Sequence, residues 1–202
     1  MSKTAYINAR ILDPASGLDT IGALLSDGRK IADVGPDLFR AGQNEKKWDV
    51  PEGIEVIDCG GLCLAPGFVD MRVQTGEPGF EYRGNLETAG ISATSGGITT
   101  MVCLPNTNPV IDDMSVVEFV ARRARKLGMT KVYAYGAITK GTEGVELAEM
   151  GLLAESGAVA FTDGNKSIAN AKVLSQAMSY ASTFDLLLIS HCEEPDLAGS
   201  GV

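Results

Sequence analysis

At 202 residues, with 45% hydrophobic and 21% charged side chains, the chain has enough apolar material for a sizeable core, which excludes a disordered or low-complexity protein. A formal net charge of −9 disfavours nucleic-acid or anionic-membrane binding, since both need clustered lysine and arginine. No apolar run reaches the roughly 18 residues that cross a bilayer, and the opening MSKTAYINARILDP lacks the hydrophobic stretch of a secretory signal, so a cytoplasmic protein is expected. Four cysteines, Cys59, Cys63, Cys103 and Cys192, match neither a zinc-ribbon pair nor a disulfide framework and are read as reduced, mostly buried thiols. The spacing of Cys59 and Cys63 fits a thiolate zinc site only in part, because no second pair follows.

The N-terminal region alternates short apolar segments with turn signals. Segments 5–12, 23–25, 30–34 and 55–58 are separated by DPASG, SDG, GPD and PEG, which predicts small strands in a compact β layer over residues 1–61. A polar insert, 38–52, interrupts it and carries the only tryptophan, Trp48, whose indole is expected to cover the core or an edge.

After Gly61 the pattern becomes strand followed by helix. Strands are predicted at 62–73, 98–104, 131–135, 158–161 and 186–189, and helices at 81–95, 115–127, 145–156 and 167–181, with Ser115 capping the second helix. Five β elements alternating with four α elements imply an α/β fold with a parallel sheet and right-handed crossovers, either open and doubly wound or a TIM-type (β/α)8 barrel. No Gly-x-Gly-x-x-Gly follows the first of these strands and no Gly-Lys-Ser/Thr loop occurs, which removes support for a nucleotide-binding open sheet. A complete barrel needs roughly 250 residues and residues 62–202 supply about 140, so a partial barrel of about the first five strands is expected, the truncated product of a longer protein. Five strands alone leave edges that another segment or a partner must cover.

In a parallel barrel, reactive groups sit at the carboxyl ends of the strands, where the loops converge. This chain places Asp70, Arg72, Gln74 and Glu77 after the first barrel strand, Asn106 after the second, Asp163 after the fourth and His191, the sole histidine, after the fifth. Each has a plain structural reading beside a functional one. Asn106, between Pro105 and Pro109, is as much a turn former as a ligand contact; Asp163 is able to cap the next helix or pair with Arg72; His191 fits a hydrogen-bonded strand end. Cys192 beside His191 resembles a nucleophile with its base, but neighbours on a strand point to opposite faces. Arg122, Arg123, Arg125 and Lys126 read as a solvated helix face, and the GTEG stretch from Gly141 as a loop.

PGFVD, GEPG, GGITT, CLPNTNPVIDD, AFTDG and SHCEEP, in that order along the chain, resemble the dihydroorotases of the cyclic amidohydrolase family, within the amidohydrolase superfamily. The resemblance implies a metal-dependent-hydrolase-type barrel, an N-terminal layer that is half of a small β-sandwich, and a role in pyrimidine biosynthesis. In active relatives two histidines on the first strand, an acidic or carboxylated-lysine bridge after the fourth and a histidine after the fifth hold zinc, and an arginine just beyond the His-x-His binds a substrate carboxylate. Carried over by position, Asp163 matches the acidic ligand, His191 the later histidine and Asn106 a substrate contact, whereas Arg72 and Gln74 replace the histidine pair and Gly76 stands where the arginine belongs.

A guanidinium stays protonated and offers donors only, and a carboxamide offers one weakly basic carbonyl, so Arg72 and Gln74 cannot clamp zinc as paired imidazoles do. The expectation is a pseudoenzyme: no catalytic residues, a degenerate zinc site with Asp163 and His191 as residual metal ligands, and no cofactor. The resemblance further suggests a silent structural partner of aspartate transcarbamoylase, or a homo-oligomer. The alternative is an active zinc-dependent dihydroorotase, or another cyclic amidohydrolase, with a remodelled mononuclear site.

Overall fold

Period-two alternation of apolar residues builds the N-terminal sheet. The computed structural model describes residues 3–40 and 48–199, and the chain divides into two units, Met1–Pro66 and Gly67–Val202. In the first, β1 (Lys3–Asp13) buries Ala5, Ile7, Ala9 and Ile11, every second residue, as a strand with one covered face must. β1 pairs antiparallel with β2 (Leu18–Asp27), and β2 pairs antiparallel with β3 (Lys30–Gly35). β4 (Glu55–Asp58) and the two-residue β5 (Cys63–Leu64) pair parallel with β1. Trp48 is half-buried against Ala5, Ile7 and Ala23, with the Arg40 guanidinium 4.8 Å from its ring centroid, so the indole covers this small core. Residues 41–47 of the insert lie outside the described residues.

The predicted strand 62–73 is two strands. Pro66 has no N–H to give to a ladder, and the chain breaks there: β5 ends in the first unit and β6 (Phe68–Val73) begins the second. β6, β7 (Ile98–Cys103), β8 (Lys131–Gly136) and β9 (Ala158–Phe161) form a parallel sheet in that order. The fifth predicted strand, 186–189, is reduced to one bridge between Leu188 and Phe161, with Phe161 N–H donating to Leu187 O at 2.9 Å and Ile189 N–H donating to Phe161 O at 2.8 Å. Held from one side only, this segment does not extend into a strand, and the sheet has four strands rather than five among the described residues.

The helices begin where a side chain can take the first free N–H groups. α1 (Leu86–Ser95) starts five residues later than expected: Glu81–Arg83 forms a single 3-10 turn, and Asn85 then caps, its Oδ1 accepting Thr88 N–H at 2.8 Å while Asn85 N–H donates to Thr88 Oγ1 at 3.0 Å. α2 (Met114–Leu127) is capped by Asp113, not Ser115; the carboxylate accepts both the backbone N–H and the hydroxyl of Ser115. α3 is only Met150–Glu155, because Thr139 and Leu147 pair and Lys140 N–H donates to Glu146 O at 2.8 Å, which holds the preceding residues in a small ribbon. α4 (Ala171–Thr183) starts at the Asn170 cap, and α5 (Pro195–Ala198) is a single turn.

On α2, Val116, Val117, Val120 and Ala124 make the apolar stripe, and the three valines pack with Met101, Cys103, Ala134 and Phe161 of the sheet in the main core. The opposite face of the sheet carries a smaller cluster of Val102, Leu104, Tyr135 and Ala160. Met71 and Tyr133 remain 66% and 42% exposed, so that second apolar face is only half covered.

Candidate functional site

Parallel strands deliver their carboxyl ends to one side of a sheet, so the turns after β6, β7, β8 and β9 gather the polar residues that stand out in the sequence. Asp163, just beyond β9, is 3% exposed. Its Oδ1 accepts Ile138 N–H at 2.9 Å and Thr139 N–H at 3.0 Å, and its Oδ2 accepts the Thr139 hydroxyl. The carboxylate thus staples the turn after β9 to the turn after β8. It neither caps α4, which Asn170 does, nor pairs with Arg72.

Asn106, beyond β7, faces the same turn. Its Nδ2 donates to Asn165 Oδ1 at 2.9 Å, and its Oδ1 is buried with no hydrogen-bond partner. A Cβ at Gly164, whose φ is +72°, would stand 2.0 Å from that oxygen, so the position is closed to any side chain as built. Asp163 and His191 both line one crevice, with Lys166 and Ser190, that has no space for a water molecule. His191 Nε2 lies 2.8 Å from Glu193 Oε2, and the imidazole is 31% exposed.

The residues after β6 go two ways. Glu77 is buried and turns to the helices: Oε2 accepts Leu86 N–H at the start of α1 at 2.9 Å, and Oε1 accepts Arg123 Nε–H from α2 at 2.9 Å. Arg123 is therefore not part of a solvated face, although its neighbours Arg122, Arg125 and Lys126 are exposed. Gly76 has no room for a side chain, since a Cβ there would stand 2.1 Å from Phe80 O and 2.4 Å from Gly84 O. Gln74 is exposed. Arg72 lines a pocket of about 220 Å³ with Met71, Leu104, Tyr135, Thr162 and Ile189. Burial pushes the Tyr135 phenol above its usual range, the Arg72 guanidinium pulls it part of the way back, and the hydroxyl donates to Met71 O at 2.8 Å.

Of the thiols, Cys103 is buried and pushed up to about 12 by desolvation, while Cys63 and Cys192 are exposed and Cys59 is half-buried. The Gly141 loop is tied down by Gly141 N–H donating to Asp112 Oδ2 at 2.7 Å. Among the described residues no group of three or more His, Cys, Asp and Glu side chains converges as a metal-binding cluster.

The structure brings Asp163 together with His191, and Asn106 with the Asp163 turn, and it separates Glu77 from all three. Reading the sequence missed Thr139, Gly164, Asn165 and Arg123. Only Arg123 left a trace: it falls three residues after Val120 and seven after Val116, at the edge of the apolar stripe of α2.

A family model described as "Dihydro-orotase-like" matches residues 61–202. Among curated proteins, the chain is 38% identical over 195 residues to a dihydroorotase of Pelobacter propionicus, covering 96% of this chain and 44% of the relative. It is 42% identical over 198 residues to a dihydroorotase of Ehrlichia chaffeensis, covering 98% and 42%, and 40% identical over 200 residues to a dihydroorotase-like protein of Pseudomonas putida, covering 98% and 44%. The chain thus spans less than half the length of these relatives. Among solved structures it resembles the L-hydantoinase (dihydropyrimidinase) of Arthrobacter aurescens, with a TM-score of 0.72 at 21% identity over 93% of this chain and 40% of that one. A D-hydantoinase (dihydropyrimidinase) of a Thermus species gives 0.61 at 21% identity over 97% and 41%. These structural likenesses are of fold: an α/β arrangement whose parallel sheet is similar to that of the hydantoinase TIM-barrel domain.

Proposed function

Because the chain belongs to the dihydro-orotase-like family, we propose that it keeps the family scaffold with a dismantled hydrolytic centre and serves pyrimidine biosynthesis as a structural partner of aspartate transcarbamoylase. On this reading the four parallel strands are the first part of a (β/α)8 barrel, and the N-terminal sheet is half of a β-sandwich. No helix among the described residues is long and apolar enough to cross a membrane, which agrees with a cytoplasmic role.

The observation that carries the reading is the state of Asp163. A hydrolytic zinc centre takes about three protein ligands and keeps one position for water. The residues present do not fit that centre. Asp163 is the acidic ligand by position, yet both its oxygens are occupied by donors from Ile138 and Thr139. Glu77, the other buried carboxylate after β6, is held by Arg123 and Leu86. Arg72 and Gln74 supply a fixed positive charge and an amide where two imidazoles are needed. Gly76 withholds the arginine that would grip a substrate carboxylate.

The shared crevice of Asp163 and His191 favours a second reading, a mononuclear zinc amidohydrolase that uses those two residues. Three measurements on the purified protein separate the two readings. The scaffold reading expects no stoichiometric zinc, no hydrolysis of dihydroorotate above a His191→Ala control, and co-purification of aspartate transcarbamoylase. One zinc per chain with turnover abolished by His191→Ala establishes the enzyme instead. Protein that stays partner-free at physiological concentration removes the scaffold.

A further inference from the structure

α2 ends on the densest basic run of an acidic chain. Arg122, Arg125 and Lys126 are exposed on its last turns and make no ion pair among the described residues, while Arg123 is taken by Glu77 and Glu87. Phe119, three residues before Arg122, is exposed on the same helix. The surface of α3 and of the ribbon before it is the converse. Glu143 and Glu149 are exposed and make no ion pair among the described residues, Glu149 having only the Tyr180 hydroxyl at 3.5 Å. Exposed Val145 and Leu152 accompany them, and the nearest cation, Lys140, is paired with Glu146.

Both surfaces are enclosed by parts of the fold already in place. α2 touches α1 on one side and α3 on the other, and α4 meets the far side of α3, where the Tyr180 hydroxyl oxygen accepts Gly151 N–H at 3.3 Å. Strands added at either edge of the sheet, beside β6 or β9, would therefore not cover them. The opposite charges also stand at opposite ends. A helix between two parallel strands runs back against them, so α2 ends at the amino ends of the strands, whereas Glu143 and Glu149 follow β8 and precede α3, at the carboxyl ends. Although the two helices touch, no ion pair joins α2 to α3 or its ribbon.

We propose that this surface is a self-complementary contact between two copies of the chain, the basic end of α2 in one copy lying on Glu143 and Glu149 of the other, and the reverse. A two-fold axis across the helices exchanges their ends, so each basic end meets an acidic one twice over. Phe119, Val145 and Leu152 supply the apolar part of the contact. Copies of net charge −9 repel one another, and α2 is where that sign is locally reversed. α2, with 14 residues, is about 21 Å long, and two helices about 10 Å apart present roughly 400 Å² per copy, at the low end for a specific interface. The pairing is therefore weak and sensitive to salt. It does not depend on the state of the metal centre.

The test is sedimentation equilibrium of the purified chain at low and high salt, with two charge-reversed variants. The expected result is a monomer–dimer equilibrium with a dissociation constant of about 10–100 µM at low salt, weakened at least ten-fold at about 0.5 M salt. Arg122→Glu with Arg125→Glu makes both surfaces acidic, and Glu143→Lys with Glu149→Lys makes both basic; each variant alone is expected to associate at least ten-fold more weakly than the parent. All four side chains are exposed, so both variants should keep the parent's thermal midpoint. Mixed in equal amounts, the two variants should pair again, because each then offers the charge that the other needs at both ends. Chain that stays monomeric at low salt overturns the proposal and leaves the basic face to an acidic protein of another kind. A dimer that neither salt nor charge reversal weakens overturns it too, as does a mixture of the variants that stays as dissociated as each alone.

Discussion

Thr139 gives Asp163 two hydrogen bonds, one from its backbone N–H at 3.0 Å and one from its hydroxyl, and the same hydroxyl oxygen accepts Gly144 N–H at 2.9 Å. One side chain thereby joins the turn after β9 to the loop after β8, and both residues are almost without solvent contact. A carboxylate used this way is part of the scaffold. Its charge is spread over three donors, so it has little left to offer a metal ion or a substrate.

Asp163→Asn tests that role. An amide has one oxygen where the carboxylate has two, so its NH2 group faces at least one donor. Hydrogen bonds to a charged group contribute about 1.5–3 kcal/mol each, and a stranded buried donor costs about 1–3 kcal/mol. We expect a loss of about 2–4 kcal/mol in urea unfolding, with the amide hydrogens of Ile138 and Thr139 exchanging faster. A variant within about 0.5 kcal/mol of the parent would show that the carboxylate is not structural.

The pair of Glu77 and Arg123 ties the turn after β6 to α2, and its two ends differ in exposure, with side chains 8% and 29% exposed. Removing the exposed partner leaves a buried carboxylate still held by Leu86 N–H; removing the buried one leaves a guanidinium that can turn to water. Arg123→Ala should cost about 1–2 kcal/mol and Glu77→Ala about 2–4 kcal/mol, the second also losing the link to the start of α1. A double-mutant cycle in urea should give a coupling of about 0.5–3 kcal/mol. Strict additivity would mean that the 2.9 Å contact contributes no net stability.

The parts of the fold that were legible in the sequence are those whose signal is local. β1 shows its alternation residue by residue, and α2 shows its valine stripe between Asp113 and Gly128. What was misread depends on partners distant in the chain. The helix expected from 145 gives way to a pairing of Leu147 with Thr139, and the strand expected at 186–189 needs more than the single bridge Phe161 provides. The site divides the same way. Arg72 and Gln74, at the positions where the resemblance implies two imidazoles, stand in one line of sequence. Two of the three donors that occupy Asp163 are backbone groups 24 and 25 residues away, and a backbone N–H has no letter to read; the third, the Thr139 hydroxyl, is equally distant in the chain.

Thiol chemistry offers a direct check of the packing. Iodoacetamide near pH 8 should modify Cys63 and Cys192 first and Cys59 more slowly, because Cys59 is half-buried and its thiol is raised by burial. Cys103 should react only on unfolding. Its pKa also has a consequence for stability. The unfolded thiol ionises near 9.0, whereas the folded one is pushed up to about 12 by burial. Between those values the unfolded chain has given up a proton that the folded chain keeps, so stability falls as pH rises through this window. Below about pH 9 the contribution is flat. Cys103→Ala should be less stable at neutral pH from the lost packing, and its stability should decline less steeply above pH 9 than the parent's; equal slopes would remove the buried thiol as the cause.

Introducing the residues that the resemblance implies at 72, 74 and 76 separates what the surface accepts from what the backbone closes off. Arg72 and Gln74 are both exposed, so Arg72→His with Gln74→His should fold within about 0.5 kcal/mol of the parent. Gly76 is different, because any Cβ there meets the carbonyl oxygens of Phe80 and Gly84 at 2.1 and 2.4 Å, and those atoms belong to the turn itself. Gly76→Ala, and still more Gly76→Arg, should lose about 1–3 kcal/mol to overpacking, while Gly35→Ala, with nothing within 4 Å of its Cβ, should stay close to the parent. The histidine pair can therefore be put back without the arginine, and the double-histidine variant should gain measurable zinc affinity with no turnover of dihydroorotate. A Gly76→Arg variant as stable as the parent in urea would show that the turn after β6 yields easily, and the glycine at the position where the resemblance implies an arginine would then be a matter of one side chain rather than of backbone shape.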